Sequence, residues 1–547
     1  MQVLNVAEKP NAAKRISELL SNNGANRREG FSKYNKIFEF QANIPQYGIC
    51  NMSMTSVSGH LKEIEFTENF KKWFSCNPRQ LFQAQLRKSV GKGKEGIQRT
   101  LVKEGKIAKM LIIWTDGDRE GENIGFEIIE SVKSVNRNII LKRAKFSEIT
   151  RPSILRALNN LVEPDENQSL AVDCRQELDL RIGAAFTRFQ TLALQPMYEK
   201  LKESVISYGS CQFPTLGFVV DRWKANKDFQ IEPFWKIEVS YNNTTFNWFR
   251  QRLFCRDTVI ALQELCLASV PAKVTKLNRK QRSRWRPIAM DTILMEKLAS
   301  QKLRINAQRT MAIAEALYNK GYLSYPRTET NIFPNSLQLK PLVEMQKNSP
   351  EYSNFVDKIL NEWPECPNPK NGRKNDQAHP PIHPTKPSDD TLNPEEKRLY
   401  NLIARHFLAC VSRDAKGDST NIEISLGGEQ FGAEGLMITE RNYLEIYTFD
   451  NWSDKTIDVY QMNQEFVPEN ISVISGQTQP PPLLTESDLI TLMDKHGIGT
   501  DATHAEHIEK IKVRHYVNMQ NARFFAPTML GLSLVFGYCS MKEVQKS

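Results

Sequence analysis

The sequence predicts a multidomain protein, an α/β domain followed by helical and β-rich domains, and three observations carry that reading. At 547 residues the chain is too long for one hydrophobic core. Over roughly the first 150 residues, short apolar runs alternate with helical periodicity, the pattern of a mostly parallel sheet. Beyond them, helical blocks are interleaved with aromatic-rich, strand-like segments lying more than 150 residues apart, at 228–255 and 418–449.

Residues 2–7 form an apolar run that ends in Glu8-Lys9-Pro10, followed by helical spacing from Asn11 to Leu20. A second strand, Met110–Trp114, ends at Thr115-Asp116 and gives way to a helix over Glu120–Val132. From Asp173 to Gln190 the spacing is helical, with Leu178, Ile182, Ala185 and Phe189 on one stripe. A helical block runs from Asp291 to Lys320, and residues 361–400 carry eight prolines and read as loop. The last apolar stretch, Arg523–Phe536, reads as core, whereas Met541–Ser547 adds little to it.

Charge narrows the function. Lys plus Arg exceed Asp plus Glu by 73 − 63 = 10, which favours a polyanionic partner, although an indifferent basic surface gives the same sum. The apolar residue at 2–7 is too short for a signal peptide, and no run is long enough to span a bilayer, so an intracellular protein is expected. Nine cysteines never come closer than eleven positions, so no Cys-x-x-Cys seeds a zinc site. No phosphate-binding loop of the ATP-motor type is present, and Gly91-Lys-Gly93-Lys-Glu-Gly96 lacks the preceding strand a dinucleotide fingerprint needs.

The segment Asp116-Gly-Asp118-Arg119-Glu120-Gly-Glu122 places four carboxylates within seven residues at the end of a strand, where they repel unless a cation sits among them. Oxygen-only donors at Asp116, Asp118 and Glu120 suit Mg²⁺. An EF-hand loop has similar spacing, but Met110–Trp114 is no entering helix and Asn123 stands where that loop takes an aliphatic residue. A solvated surface loop remains open. In a parallel sheet Glu8 and Lys9 would reach the same edge, as proton shuttle and phosphate partner; a surface ion pair is the plainer alternative. In Gly321-Tyr-Leu-Ser-Tyr325-Pro-Arg327, proline extends the preceding residue and sends phenol and guanidinium to one face, where both can meet a phosphate; a core tyrosine is the plainer alternative. His379 and His383 are separated by prolines that prevent a helical metal pair. The run Arg279–Arg286 combines cations with Trp285, as single-strand grooves do and as solvated charge runs also do.

Taken together, Val6–Pro10, Trp114–Gly125, Arg175–Arg188, Ser207–Gly217, Ser324–Glu329, Gln377–Thr385 and Gly497–Glu506 resemble the type IA DNA topoisomerases of the topoisomerase III kind, over nearly the whole chain. The resemblance implies a Toprim domain within a toroidal core that admits DNA: Toprim at 1–151, a helical DNA-binding domain at 152–215 and 481–547, a β-rich arch at 216–280 and 405–480, and a helical domain at 281–404 bearing the catalytic tyrosine. It implies ATP-independent, Mg²⁺-dependent cutting of one strand, with Tyr325 joined to the 5′ phosphate, then strand passage and religation. Glu8, Lys9, Arg327 and His379 are implied to assist, and Arg119, Arg181, Gln212, Thr500 and Thr503 to lie along single-stranded or underwound DNA; Asp501–Thr503 also reads as a helix start suited to phosphate. A RecQ-type helicase and an OB-fold accessory subunit are the implied partners, recombination intermediates the implied substrates, a monomer the implied catalytic core and the nucleus the implied site, a mitochondrial form being possible. The family's C-terminal zinc-binding cysteines do not appear, and the chain reads as ending before the usual end of the core, so weak supercoil relaxation is expected. A Toprim nuclease or primase would share the carboxylates without needing Tyr325-Pro-Arg327, and a non-catalytic DNA-binding protein would leave them unexplained.

Overall fold

A computed structural model of the chain describes residues 1–500 and 503–541; Asp501, read above as part of a helix start, and residues 542–547 lie outside the described residues. The N-terminal domain is built on strands β1 (Gln2–Ala7), β2 (Asn26–Arg28), β3 (Ile37–Ile44), β4 (Gly48–Ser56), β5 (Met110–Trp114) and β6 (Ile140–Arg143). They form one sheet in the order β2-β3-β4-β1-β5-β6. The β4-β1-β5-β6 centre is parallel, and β3 and β2 add an antiparallel edge that the sequence reading did not separate. Strand β5 is buried at every position because helices cover both faces of the sheet. Helix α1 (Pro10–Ser21) packs Ala13, Ile16 and Leu20 on one face, while α2 (Glu95–Ile107) and α3 (Arg119–Lys133) pack Ile97, Leu101, Ile124 and Ile128 on the other. Each of these large aliphatic side chains contributes about 1.5–3 kcal/mol on burial.

The two distant β-rich stretches meet in a second sheet made of β7 (Pro233–Tyr241), β8 (Thr244–Trp248), β9 (Ala272–Arg284), β10 (Ala415–Leu426), β11 (Glu429–Glu440), β12 (Glu465–Phe466) and β13 (Asn470–Gln477). Its order is β12-β9-β10-β11-β8-β7-β13, antiparallel throughout. Strand β9 absorbs most of the basic run, and Arg279 and Lys280 stay exposed on it. Arg282 reaches Glu434 at 2.8 Å, Arg286 reaches Asp414 at 3.0 Å, and Arg284 holds Asp450, so these cations tie β9 to its surroundings. Trp285 stays outside, 68% exposed beneath Lys370.

Helix α4 (Glu166–Leu194) leaves the N-terminal domain, and its apolar stripe is not a core stripe: Leu178 and Phe189 are each 52% exposed, while Ala185 is buried. Helix α5 is Gln212–Lys227. The helical block over 291–320 holds α6 (Thr292–Leu298) and α7 (Ala307–Asn319), separated at Arg304, whose φ of 59° is left-handed. The proline-rich tract is mainly loop until α8 (Pro394–Cys410), where Pro394 takes the first helical turn. Helices α9 (Glu486–Lys495), α10 (Thr503–Val513) and α11 (Met529–Cys539) share an apolar core with α6, α7 and α8. The final apolar stretch joins this core through Phe525, Leu532 and Leu534, although Met529 and Phe536 stay exposed. Among the described residues no helix is long and apolar enough to cross a membrane.

Candidate active site

Parallel pairing of β1 with β5 sets Ala7 opposite Trp114, so the residues that follow each strand leave the sheet side by side. Glu8 Oε2 accepts the Asp116 N–H at 3.1 Å, and Lys9 Nζ bridges Asp116 Oδ2 at 3.1 Å and Glu8 Oε1 at 3.5 Å. Asp118 divides its oxygens: Oδ1 caps α3 by accepting the Gly121 N–H at 2.7 Å, and Oδ2 accepts the Tyr325 hydroxyl at 2.5 Å. The intervening glycines are steric necessities. A Cβ on Gly121 would lie 2.1 Å from the Asp116 carbonyl, and one on Gly117 would lie 2.6 Å from the His379 ring.

Tyr325 comes from beyond the end of α7, yet it belongs to the apolar cluster of the N-terminal domain and is 3% exposed. Its N–H donates to the Ser147 carbonyl at 2.8 Å, and its ring lies 4.4 Å from His379 and 5.3 Å from Tyr318. His379 Nδ1 meets Ser147 Oγ at 3.1 Å, while its buried Nε2 has no hydrogen-bond partner among the described residues. His383 instead faces Phe333 and Phe407 in another core, with Nδ1 on the Pro381 carbonyl at 2.7 Å. Arg327 is held by Glu315 of α7, its Nε at 2.9 Å.

The electrostatics follow from crowding. Burial, then the Asp116 charge, pushes the Glu8 pKa up to about 7 against the pull of Lys9. Burial also raises Asp116, with Lys9 opposing and Asp118 adding to the rise. Burial works against the Lys9 ammonium, but Asp116 and Glu8 hold its pKa above the usual value. Burial and then Asp118 keep the Tyr325 phenol protonated far above its ordinary range, although the Arg327 charge works the other way. Burial keeps His379 neutral.

Glu120 is turned elsewhere. It meets His60 Nε2 at 3.0 Å and Arg175 at 2.5 Å, and among the described residues no three His, Cys, Asp or Glu side chains converge on a metal-sized site. Burial opposes the charged His60 ring, but hydrogen bonds to Glu120 and Glu127 raise its pKa to about 9. The chemistry of the remaining set still fits a hard divalent ion: Glu8, Asp116 and Asp118 offer only oxygens and repel one another.

The expected DNA contacts divide. Arg119 is exposed on the first turn of α3. Arg181, expected along the DNA, donates to the Leu81 and Ala84 carbonyls at 3.0 and 2.8 Å and to Glu177 at 2.7 Å. Gln212 opens α5, 6% exposed, with its amide 2.8 Å from His507. Thr503 Oγ1 accepts the Thr500 N–H at 2.8 Å at the start of α10.

Sequence reasoning missed Tyr318, whose hydroxyl lies 3.5 Å from Asp116, and Ser147, which serves both Tyr325 and His379. It also missed Arg143, which holds the Asp116 carbonyl at 2.7 Å. Tyr318 carries no sequence signal, because a helix end and a sharp turn separate it from Tyr325. Arg143 offered a weak one, a cation closing a short strand.

A family model described as Toprim domain matches residues 3–149, and one described as DNA topoisomerase matches residues 163–547. Human DNA topoisomerase 3-alpha is 54% identical over 99% of this chain and 54% of its own length. The Drosophila melanogaster DNA topoisomerase 3-alpha is 51% identical over 99% of this chain and 44% of its own, so the chain spans about half the length of these curated relatives. DNA topoisomerase 3 of Schizosaccharomyces pombe is 40% identical over 98% of this chain and 88% of its own. In fold, full-length topoisomerase I of Thermotoga maritima superposes with a TM-score of 0.75 at 22% identity, over 99% of this chain and 83% of that one. By these matches, with the carboxylates of one domain set against the tyrosine of another, the chain belongs to the type IA DNA topoisomerases and carries a Toprim domain.

Proposed function

We propose that this chain cuts one strand of DNA with Tyr325, passes another strand through the gap and rejoins the first. The observation that carries the reading is the Tyr325 hydroxyl, 2.5 Å from Asp118 and beside the Glu8–Lys9–Asp116 group. The phenol gives its proton to Asp118 along that hydrogen bond, and its oxygen attacks the phosphorus. The bond from phosphorus to the 3′ oxygen breaks, and Glu8, partly protonated near neutral pH, supplies that oxygen's proton. Religation runs the same transfers backwards, so the ester to Tyr325 conserves the bond and no ATP is needed. Lys9 and Arg327 neutralise the phosphate by exchanging Asp116 and Glu315 for it, and the unpartnered Nε2 of His379 donates to it.

Once Asp118 has passed its proton to solvent, Asp116 and Asp118 would hold Mg²⁺, with Glu120 joining by giving up His60 and Arg175; the ion would supply positive charge that steadies the phosphate and the freed 3′ end. Tyr325 is buried, so the helical region that carries it must lift from the Toprim domain to admit a strand. The strand approaches past Arg119, Gln212, Thr500 and Thr503. Single-stranded or underwound DNA is the substrate, with a RecQ-family helicase and an OB-fold accessory subunit as partners on recombination intermediates in the nucleus.

End-labelled oligonucleotides test the chemistry. A 3′-labelled strand should yield a labelled covalent adduct and a 5′-labelled strand a free labelled fragment. Tyr325→Phe should bind the strand and form no adduct, and an undiminished adduct in that variant refutes the assignment.

A further inference from the structure

The β2–β3 loop, residues 29–36, presents two aromatic rings to solvent: Phe31 is 59% exposed and Tyr34 69% exposed. The loop is firmly mounted. Asn35 is buried and its amide donates to Ser56 O at 2.9 Å and Val57 O at 3.1 Å. The Phe31 N–H donates to Thr100 Oγ1 on α2 at 3.0 Å, and Gly96 lies so close that a Cβ there would be 2.9 Å from the Phe31 carbonyl. This contact seats the first turn of α2, which follows the glycine-lysine stretch at 91–94, against the loop that carries the rings.

Cations accompany them. Lys33 Nζ lies 4.9 Å from the centre of the Tyr34 ring, and Lys103 Nζ lies 5.7 Å from that of Phe31. Lys92, just before α2, and Arg99, within it, are exposed, and none of these four makes an ion pair among the described residues. The nearby Glu29 is already held by Lys36 and Arg27, which leaves Glu95 and Glu63, the latter beside Gly91, as opposing charges. The rim also reaches the active site: Lys94 Nζ donates to the His60 carbonyl at 2.5 Å, and the His60 ring touches Glu120. Fixed rings interleaved with free cations are what an unpaired strand needs, stacking for its bases and charge for its phosphates, whereas an apolar protein partner would leave the cations unanswered.

We propose that this rim is a second binding segment for single-stranded DNA, continuous with the cleavage site, with bases stacked on Phe31 and Tyr34 and phosphates on Lys92, Arg99 and Lys103. The proposal rests on the strand-cleaving reading above. Phe31→Ala/Tyr34→Ala removes exposed rings, so the melting temperature should hold. Anisotropy with a long oligonucleotide should then show affinity lower by about fivefold or more per ring, while an oligonucleotide just covering the cleavage site is bound and cut as before. A Lys92→Ala/Arg99→Ala/Lys103→Ala variant should lose long-strand affinity and salt dependence together. A strand scanned with 5-iododeoxyuridine should crosslink within residues 31–34. Undiminished long-strand affinity in both variants, or crosslinks elsewhere only, overturns the proposal. A wild-type chain that cuts neither oligonucleotide refutes the strand-cleaving reading, and this one with it.

Discussion

Arg143→Met tests whether the carboxylate loop is braced from beneath. Arg143 is 1% exposed, its Nε donates to Glu122 Oε2 at 2.9 Å, and Nη1 and Nη2 donate to the Thr115 and Asp116 carbonyls at 2.9 and 2.7 Å. Methionine fills much of the volume and supplies none of the donors. It strands the Glu122 carboxylate, 4% exposed, with only the Asp165 N–H at 2.7 Å. An orphaned buried charge costs about 3–5 kcal/mol. Several domains unfold in this chain, so the cost should be read locally, as the opening free energy from hydrogen exchange across residues 110–125. Arg143→Met/Glu122→Leu removes both charges and should recover the part due to the orphaned carboxylate, while the Asp165 N–H and the Thr115, Asp116 and Ala144 carbonyls stay without their partners, at about 1–3 kcal/mol for each that water does not reach. Adduct formation should stay weak in both variants, because neither restores a donor to Asp116. A single variant that changes opening by less than about 1 kcal/mol, or a double variant no better than the single, refutes the brace.

Asp116→Asn/Asp118→Asn should abolish divalent-dependent relaxation while single-strand binding holds or tightens, since two repelling charges are gone; relaxation that survives removes the metal role. Arg181→Ala should lower stability by about 2–3 kcal/mol through its lost carbonyl partners and leave the salt slope of strand binding unchanged; a slope smaller by about 1 would show that it also contacts a phosphate. His406 is buried with its pKa lowered to about 4 by burial, against a hydrogen bond to the Ile288 carbonyl. The unfolded chain therefore takes up the proton first, so the stability it contributes is full above about pH 6.5 and is lost as pH falls through 4. His406→Gln should flatten that acid limb of melting temperature against pH, and an unchanged limb would assign it to other groups.

The sequence by itself determined the N-terminal α/β pattern, because β1 and β5 are continuous apolar runs ended by charge, and the helices after them keep strict periodicity. It determined the chemical types at the site for the same local reason: Asp116 and Asp118 alternate with glycines that let neighbouring groups approach closely, and Pro326 restricts Tyr325 to an extended conformation. Local pattern misled where charge and apolarity serve distant partners. Strand β9 reads as a basic run because its cations are answered by Glu434, Asp450 and Asp414, more than 120 residues away. Leu178 and Phe189 read as one helical stripe, and spacing reports a face but not what covers it. Only the tertiary structure decided that Tyr325 is buried against Asp118, 207 residues earlier, that Glu120 is drawn off by His60 and Arg175, and that Arg143 lies beneath the loop. Those contacts join segments far apart in the chain, and their distances depend on how whole domains pack, which no local periodicity records.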